Sequence, residues 1–298
     1  MGLAIWGLAI WGLALAAGAA VGASALTSGG EPAVGETPAS FRQGLIFVRA
    51  TVGDGPEGVF LLDTGAGESV IDARYAAATH VKLGDPLTLR GGGGARDARQ
   101  GEDVHLRLPG GQSGLIDPTV ADLSAVASGM GQRLDGILGD DFLSQFVVEL
   151  DYRRRRVALR APETVTPPQG AARMRLGRTP FVLARVGRGA RAAEAEFQID
   201  TGSNTALEFW RPFARASFPD ASGYEGQGLG VAGATLNRKT RIDLLEVAGT
   251  RILGPEANLD DDTRPDDADA AYGGVIGGPA WEGLCITVDF PHRRCWVR

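Results

Sequence analysis

The chain has 298 residues, 44% of them hydrophobic, enough for a substantial core and about two ordinary domains. A net charge of -6 is mild, and no basic stripe with interleaved aromatics occurs, so the electrostatic footprint of a nucleic-acid binder is missing. With 44 glycines and 16 prolines between short apolar runs, the pattern is one of many short strands, and an all-β fold is expected.

Residues 1–25 carry no charged side chain, and residues 3–25 form a run of Ala, Leu, Ile, Val, Gly and Trp long enough to enter or span a bilayer. Ala23-Ser24-Ala25 fits the small-residue pattern of a signal-peptidase site, with cleavage before Leu26. The charged n-region is absent, which leaves a retained membrane anchor as the alternative. In either case the body is expected outside the cytoplasm, in a periplasmic or other extracytoplasmic compartment. A polar tether at 26–43 follows, in which Leu26 to Phe41 is too short and too polar for an obvious inhibitory pro-segment.

The body is expected to fall into a first lobe at 44–160, an extended linker at 161–177 marked by Pro162, Pro167, Pro168 and Gly170, and a second lobe at 178–298. The elements of the first lobe return in the second. Phe47 to Gly53 resembles Phe181 to Gly187, which is followed by a turn at about Arg188 to Glu194. Phe60-Leu61-Leu62-Asp63-Thr64-Gly65-Ala66 returns 137 residues later (200 − 63) as Phe197-Gln198-Ile199-Asp200-Thr201-Gly202-Ser203. Gly-rich hairpins come next, at Leu89 to Leu106 and Gln227 to Arg241. Gly136-Ile137-Leu138-Gly139 matches Gly274-Val275-Ile276-Gly277 at an offset of 138 (277 − 139), and Leu150-Asp151-Tyr152 matches Val288-Asp289-Phe290 at the same offset. A short helix is expected over Asp140 to Gln145, with acidic residues suited to its N-terminus. Each lobe closes on a hairpin, Val147 to Leu159 and Cys285 to Val297.

An Asp at the end of an apolar strand must be hydrogen-bonded or paired to tolerate desolvation. Thr64 and Thr201 supply short hydroxyls, and Gly65 and Gly202 permit close approach of another backbone. If the copies pack about a twofold axis, equivalent residues nearest the axis meet, so Asp63 would face Asp200. Two carboxyls at that distance share a proton, one serving as base and the other as acid; the aspartic-protease dyad is the standard example. A water between them could then attack a carbonyl with neither metal nor cofactor.

These motifs resemble those of the pepsin-like and retroviral-type aspartic proteases, and the likeness extends from about Gly44 to Arg298. It implies an acid-protease fold of two pseudo-twofold, β-barrel-like lobes with one or two short helices each, in one exported, bacterial-like chain acting as a monomer on protein or peptide substrates. It also implies that Thr64 and Thr201 interlock across the lobes, while Ile137-Leu138-Gly139 and Val275-Ile276-Gly277 pass beneath the catalytic loops. Ala66 matches the retroviral form of the motif and Ser203 the pepsin form. The family covers its cleft with at least one flap, for which the two Gly-rich hairpins are the candidates.

Other features read more simply. His80, His105 and His292 stand apart without ligand spacing, so no zinc site is expected. Asp260-Asp261-Asp262 with Asp266, Asp267 and Asp269 reads as a solvated loop rather than a calcium site. Arg153 to Arg156 reads as an exposed turn, and Cys285 and Cys295 as buried hydrophobes rather than a disulfide. The competing functions are a protease-like module that binds peptides without cutting them and a hydrolase of non-peptide bonds.

Overall fold

A computed structural model describes residues 9–11, 35–91, 94–221, 223–230, 233–260 and 272–298. The fold is all-β, and its sheets do not close into barrels. In chain order the first part contains β1 (Ala9–Trp11), β2 (Glu36–Thr37), β3 (Ala39–Arg42), β4 (Leu45–Val52), β5 (Glu57–Leu62) and β6 (Val70–Asp72). Then come α1 (Ala73–Ala78), β7 (Lys82–Gly91), β8 (Gly94–Glu102), β9 (Val104–Arg107), β10 (Ser113–Ile116), β11 (Thr119–Ala121), α2 (Ser124–Met130), β12 (Gly136–Leu138) and α3 (Asp140–Leu143). The hairpin β13 (Val147–Asp151) and β14 (Arg156–Arg160) ends this half.

The second half runs through β15 (Ala172–Leu176), β16 (Pro180–Arg188), β17 (Arg191–Asp200), β18 (Leu207–Phe209), α4 (Arg211–Ser217), β19 (Tyr224–Gly230) and β20 (Gly233–Arg241). It continues with β21 (Leu244–Val247), β22 (Thr250–Leu253), β23 (Glu256–Asp260) and β24 (Tyr272–Gly277), and closes on β25 (Cys285–Asp289) and β26 (Arg294–Val297).

Strand order is the same in the two lobes. The first reads β10-β9-β4-β5-β12-β6-β11-β8-β7, and the second repeats it as β22-β21-β16-β17-β24-β18-β23-β20-β19. In both, the strand carrying the apolar-Gly motif (β12 or β24) runs parallel to the strand ending near Asp63 or at Asp200 and antiparallel to the next. Phe60 and Phe197 pack so closely on Gly136 and Gly273 that a Cβ there would strike the ring.

The lobes share a six-stranded sheet, β2-β14-β13-β25-β26-β15. At its centre β13 and β25 are antiparallel, and Glu149 lies opposite Thr287, its own counterpart at the 138-residue offset (287 − 149). A twofold axis through that pair relates the rest of the sheet. The hairpin turns match down to one left-handed residue each, Arg155 at φ 57° and Arg293 at φ 55°. Asp151 Oδ1 accepts the N–H of Arg154 at 2.7 Å, and Asp289 Oδ1 accepts that of His292 at 3.1 Å.

Several boundaries differ from expectation. The tether reaches into the fold, because β2 pairs with β14 and β3 with β4, burying Thr37 and Phe41. The linker likewise holds β15, which joins β26 to β16. The expected turn at Arg188 to Glu194 shrinks to Gly189-Ala190, since β17 is already under way at Arg191. The first Gly-rich hairpin is Lys82–Glu102, with Val104–Leu106 belonging to the separate strand β9; the second begins at Tyr224. Among the described residues the first lobe has three α-helices rather than one or two, and the helix expected over Asp140 to Gln145 ends at Leu143. In the second lobe a 3-10 turn at Gly278–Trp281 takes its place.

Cys285 and Cys295 are buried free thiols. Cys295 stands opposite Val288, three residues from Cys285, so the side chains leave opposite faces of the sheet. Of the apolar leader only Ala9–Trp11 is described, as a strand on β19. Most of the Asp-rich loop lies outside the described residues.

Candidate active site

β5 and β17 run through the core and deliver Asp63 and Asp200 to the interface between the lobes, with 0% and 1% of their surface exposed. Within each loop the glycine N–H bonds back to its own aspartate, Gly65 to Asp63 Oδ1 and Gly202 to Asp200 Oδ1, both at 2.8 Å. Between the loops the threonines interlock reciprocally. Thr64 Oγ1 donates to the Ile199 carbonyl (2.7 Å) and accepts the N–H of Thr201 (3.1 Å), while Thr201 Oγ1 donates to the Leu62 carbonyl (2.8 Å) and accepts the N–H of Thr64 (3.1 Å).

The glycines sit where no side chain fits. A Cβ on Gly65 would fall inside the Asp200 carboxyl group, and one on Gly202 inside that of Asp63. Each carboxyl is therefore seated on the other loop's glycine. Asp63 Oδ2 is buried without a hydrogen-bond partner.

Burial pushes both carboxyls above the ordinary carboxylate range. The two carboxyls act on each other, and the charge of Asp63 adds to the rise at Asp200. Tyr152 is near enough for the Asp200 charge to act on its buried phenol, which burial raises most.

The motifs predicted to support the loops lie beneath them. Ile137 and Leu138 pair with Leu61 and Leu62, and Val275 and Ile276 with Gln198 and Ile199. Gly139 and Gly277 close against the loop backbones, where a Cβ would strike Glu68 and Ala66 in the first case and Thr205 and Ser203 in the second. The Asp140 N–H donates to the Ala66 carbonyl (2.9 Å), and the Gly278 N–H to that of Ser203 (3.0 Å). Ser203 Oγ accepts the N–H of Thr205 at 3.3 Å, a bond Ala66 cannot make. Leu89 and Ala98 of the first hairpin join the same apolar cluster as Ala66, and β19 of the second hairpin touches α2 of the first lobe.

Some neighbours of the loops were not singled out from sequence. Gln198 Nε2 donates to the Gly65 carbonyl (3.1 Å) and to Thr179 Oγ1 (2.9 Å). Arg178 Nη2 pairs with Glu68 Oε2 at 3.2 Å beside Gly67. Asp140, half-buried next to Asp141, is raised to about 6, chiefly by burial. The one available signal was mismatch between the copies, Gln198 against Leu61 and Asp140 against Gly278. Among the described residues no three His, Cys, Asp or Glu side chains converge as metal ligands.

Residues 48–142, from β4 to α3, match the family model described as aspartyl protease. The matched span holds Asp63 and Ile137 to Gly139, and it supports an aspartic protease family and a peptidase activity in general. No curated protein matches the chain.

Proposed function

We propose that this chain is an aspartic endopeptidase, with Asp63 and Asp200 as the catalytic pair and two copies of one lobe supplying one carboxyl each. The observation that carries the reading is the reciprocal seating of the carboxyls, each held by its own loop and pressed on the glycine of the other. Two buried acids so placed cannot both ionise at ordinary pH, and the stable form is a monoanion with one shared proton. The ionised member takes a proton from water as that water attacks the peptide carbonyl, and the protonated member gives its proton to the carbonyl oxygen. The resulting tetrahedral intermediate collapses when the leaving nitrogen is protonated, which restores the pair. Backbone N–H groups and the threonine interlock hold both acids in place throughout, so little reorganisation accompanies the proton transfers.

Since the carboxyls are shielded from solvent, a peptide reaches them only when the covering segments part. The two Gly-rich hairpins are the elements we assign to that movement. Both acids belong to one chain, so a monomer suffices. We also propose export, with residues 1–25 as leader or anchor.

The test is digestion of a peptide library by the soluble body alongside Asp63→Asn and Asp200→Asn. Loss of either partner in acid/base catalysis is expected to lower cleavage by about 10²–10⁴-fold while circular dichroism stays native. A parent protein that binds peptides without cutting them would establish the binding-module reading instead, and full activity in either variant would refute the shared-proton mechanism.

A further inference from the structure

The sheet shared by the lobes presents only one face to the core. Val148 and Leu150 of β13, Ile286 and Val288 of β25 and Cys295 of β26 belong to that face. Their neighbours in sequence lie on the other, because successive side chains alternate across a strand. Register sets Glu149 opposite Thr287 and Thr287 opposite Trp296, so these three form a row across the outer face at the twofold axis. Over the row lies a cavity of about 430 Å³, a size within the range of about 300–1,000 Å³ usual for small-molecule sites. Its roof is the segment that joins the lobes, through Thr164, Val165, Thr166 and Pro168.

The charges of the lining do not balance. Arg298 Nη2 donates to Glu149 Oε2 at 2.7 Å, and Arg160 Nη2 approaches Glu149 Oε1 at 3.9 Å, so two guanidinium groups share one carboxylate. Each guanidinium has more N–H donors than these contacts use. The Thr287 side chain lines the same cavity and is 1% exposed, and its hydroxyl has no hydrogen-bond partner among the described residues. A buried hydroxyl left unpaired is costly, and a partner supplied from the cavity removes the cost. Trp296, with Val147, Val165 and Pro168, makes the rest of the lining apolar.

We propose that this cavity binds a monocarboxylate carried on an apolar body, with the carboxylate between Arg160 and Arg298 beside the Thr287 hydroxyl and the body against Trp296. Guanidinium groups match a carboxylate in both geometry and charge, and one more carboxylate beside Glu149 brings the two arginines to neutrality. The indole offers a broad apolar face to the remainder of the molecule. Inorganic phosphate would leave that apolar wall unfilled. The floor comes from both lobes and the roof from the segment between them, so an occupant ties all three together. The site does not depend on the reading of Asp63 and Asp200 as a catalytic pair.

The test is titration of the full chain, labelled with 15N at its tryptophans, with three probes. N-acetyl-phenylalanine stands for a peptide C-terminus, 3-phenylpropionate for a free acid, and N-acetyl-phenylalanine amide for the same body without the charge. The indole signal of Trp296, identified by its loss in Trp296→Phe, should shift saturably with one or both acids, and the tighter of the two names the source. The amide should bind about 10-fold more weakly or less, and Arg298→Gln should weaken the acid by about 10-fold, with Arg160→Gln as the second variant if that one does not fold. Thr287→Val should weaken the acid by about 3-fold or more while the urea midpoint of the unliganded protein stays level or rises, since the hydroxyl has no partner to lose. A hydroxyl of purely structural role would lower the midpoint and leave the affinity alone, which would count against the site. No saturable shift at Trp296 with either acid up to about 20 mM, equal affinity for acid and amide, or unaltered affinity in a folded arginine variant would overturn the proposal.

Discussion

Replacing Thr64 with Val tests the interlock between the lobes, because Val keeps the shape of Thr and deletes only the hydroxyl. The Thr64 hydroxyl makes two buried bonds, donating to the Ile199 carbonyl at 2.7 Å and accepting the Thr201 N–H at 3.1 Å. Val leaves both partners buried and without this hydroxyl. At about 1–2 kcal/mol for each stranded group, the expected loss is roughly 2–4 kcal/mol, or about 3–6 °C in melting temperature for a protein of this size. Thr64→Ser keeps the hydroxyl and gives up one methyl, at a cost of about 1 kcal/mol or less. Urea unfolding followed by circular dichroism and tryptophan fluorescence measures both. Thr201→Val should cost about the same as Thr64→Val, since its bonds to Leu62 and Thr64 are the mirror image. Equal midpoints for Thr64→Val and Thr64→Ser would refute the reasoning, because the hydroxyl would then contribute nothing.

The pH dependence of stability should run opposite to that of a protein held by salt bridges. Asp63, Asp200, Glu68, Asp140 and Asp141 are all raised, mainly by burial, so folding favours their protonated forms. That contribution is complete below the unfolded values near 4 and is lost as pH rises through the raised folded values, with a slope of at most about 1.4 kcal/mol per pH unit for each group. Urea midpoints should therefore fall between pH 4.5 and 7.5, and Asp200→Asn should gain on the parent over that range; a parallel pH course for the two would exclude the assignment. Gly202→Ala places a Cβ inside the Asp63 carboxyl and should cost about 1–3 kcal/mol together with most of the activity, whereas Gly177→Ala, with no atom nearby, should stay within about 0.5 kcal/mol of the parent in the same unfolding assay.

The paired Asp-Thr-Gly loops, the apolar-Gly strands beneath them and the closing hairpins were all legible, because each is a short block whose recurrence at one offset is improbable by chance. The edges of the lobes were not. Glu36–Arg42 and Ala172–Leu176 form strands of two to five residues, too short to show a period, and Pro and Ser among their neighbours read as tether and linker. Lys82–Glu102 was located only by its glycines. Its long arms carry alternating charges that look like loop in one dimension, and among their described residues only Leu89, Ala98 and Gly101 are buried. Gln198 could be seen as an odd residue in a strand, but its partner, the Gly65 carbonyl, is 133 residues away and on the other lobe.

Symmetry and asymmetry divide the work at this site along a clear line. The backbone repeats: the same strand order, the same left-handed turn residues and the same reciprocal threonine bonds bring the two acids together without preference for either. The side chains next to the loops do not repeat. Gln198 stands against Leu61, Ser203 against Ala66, Tyr152 against Phe290, and Asp140 against Gly278. Each mismatch places a polar or ionisable group on one side of the axis only. A pair built from two identical lobes would hold its proton with equal weight on either acid and would gain a preference only when an unsymmetrical peptide bound. Here the groups flanking the pair differ from one lobe to the other in the free protein, so the two sides of the site are chemically unlike before anything binds.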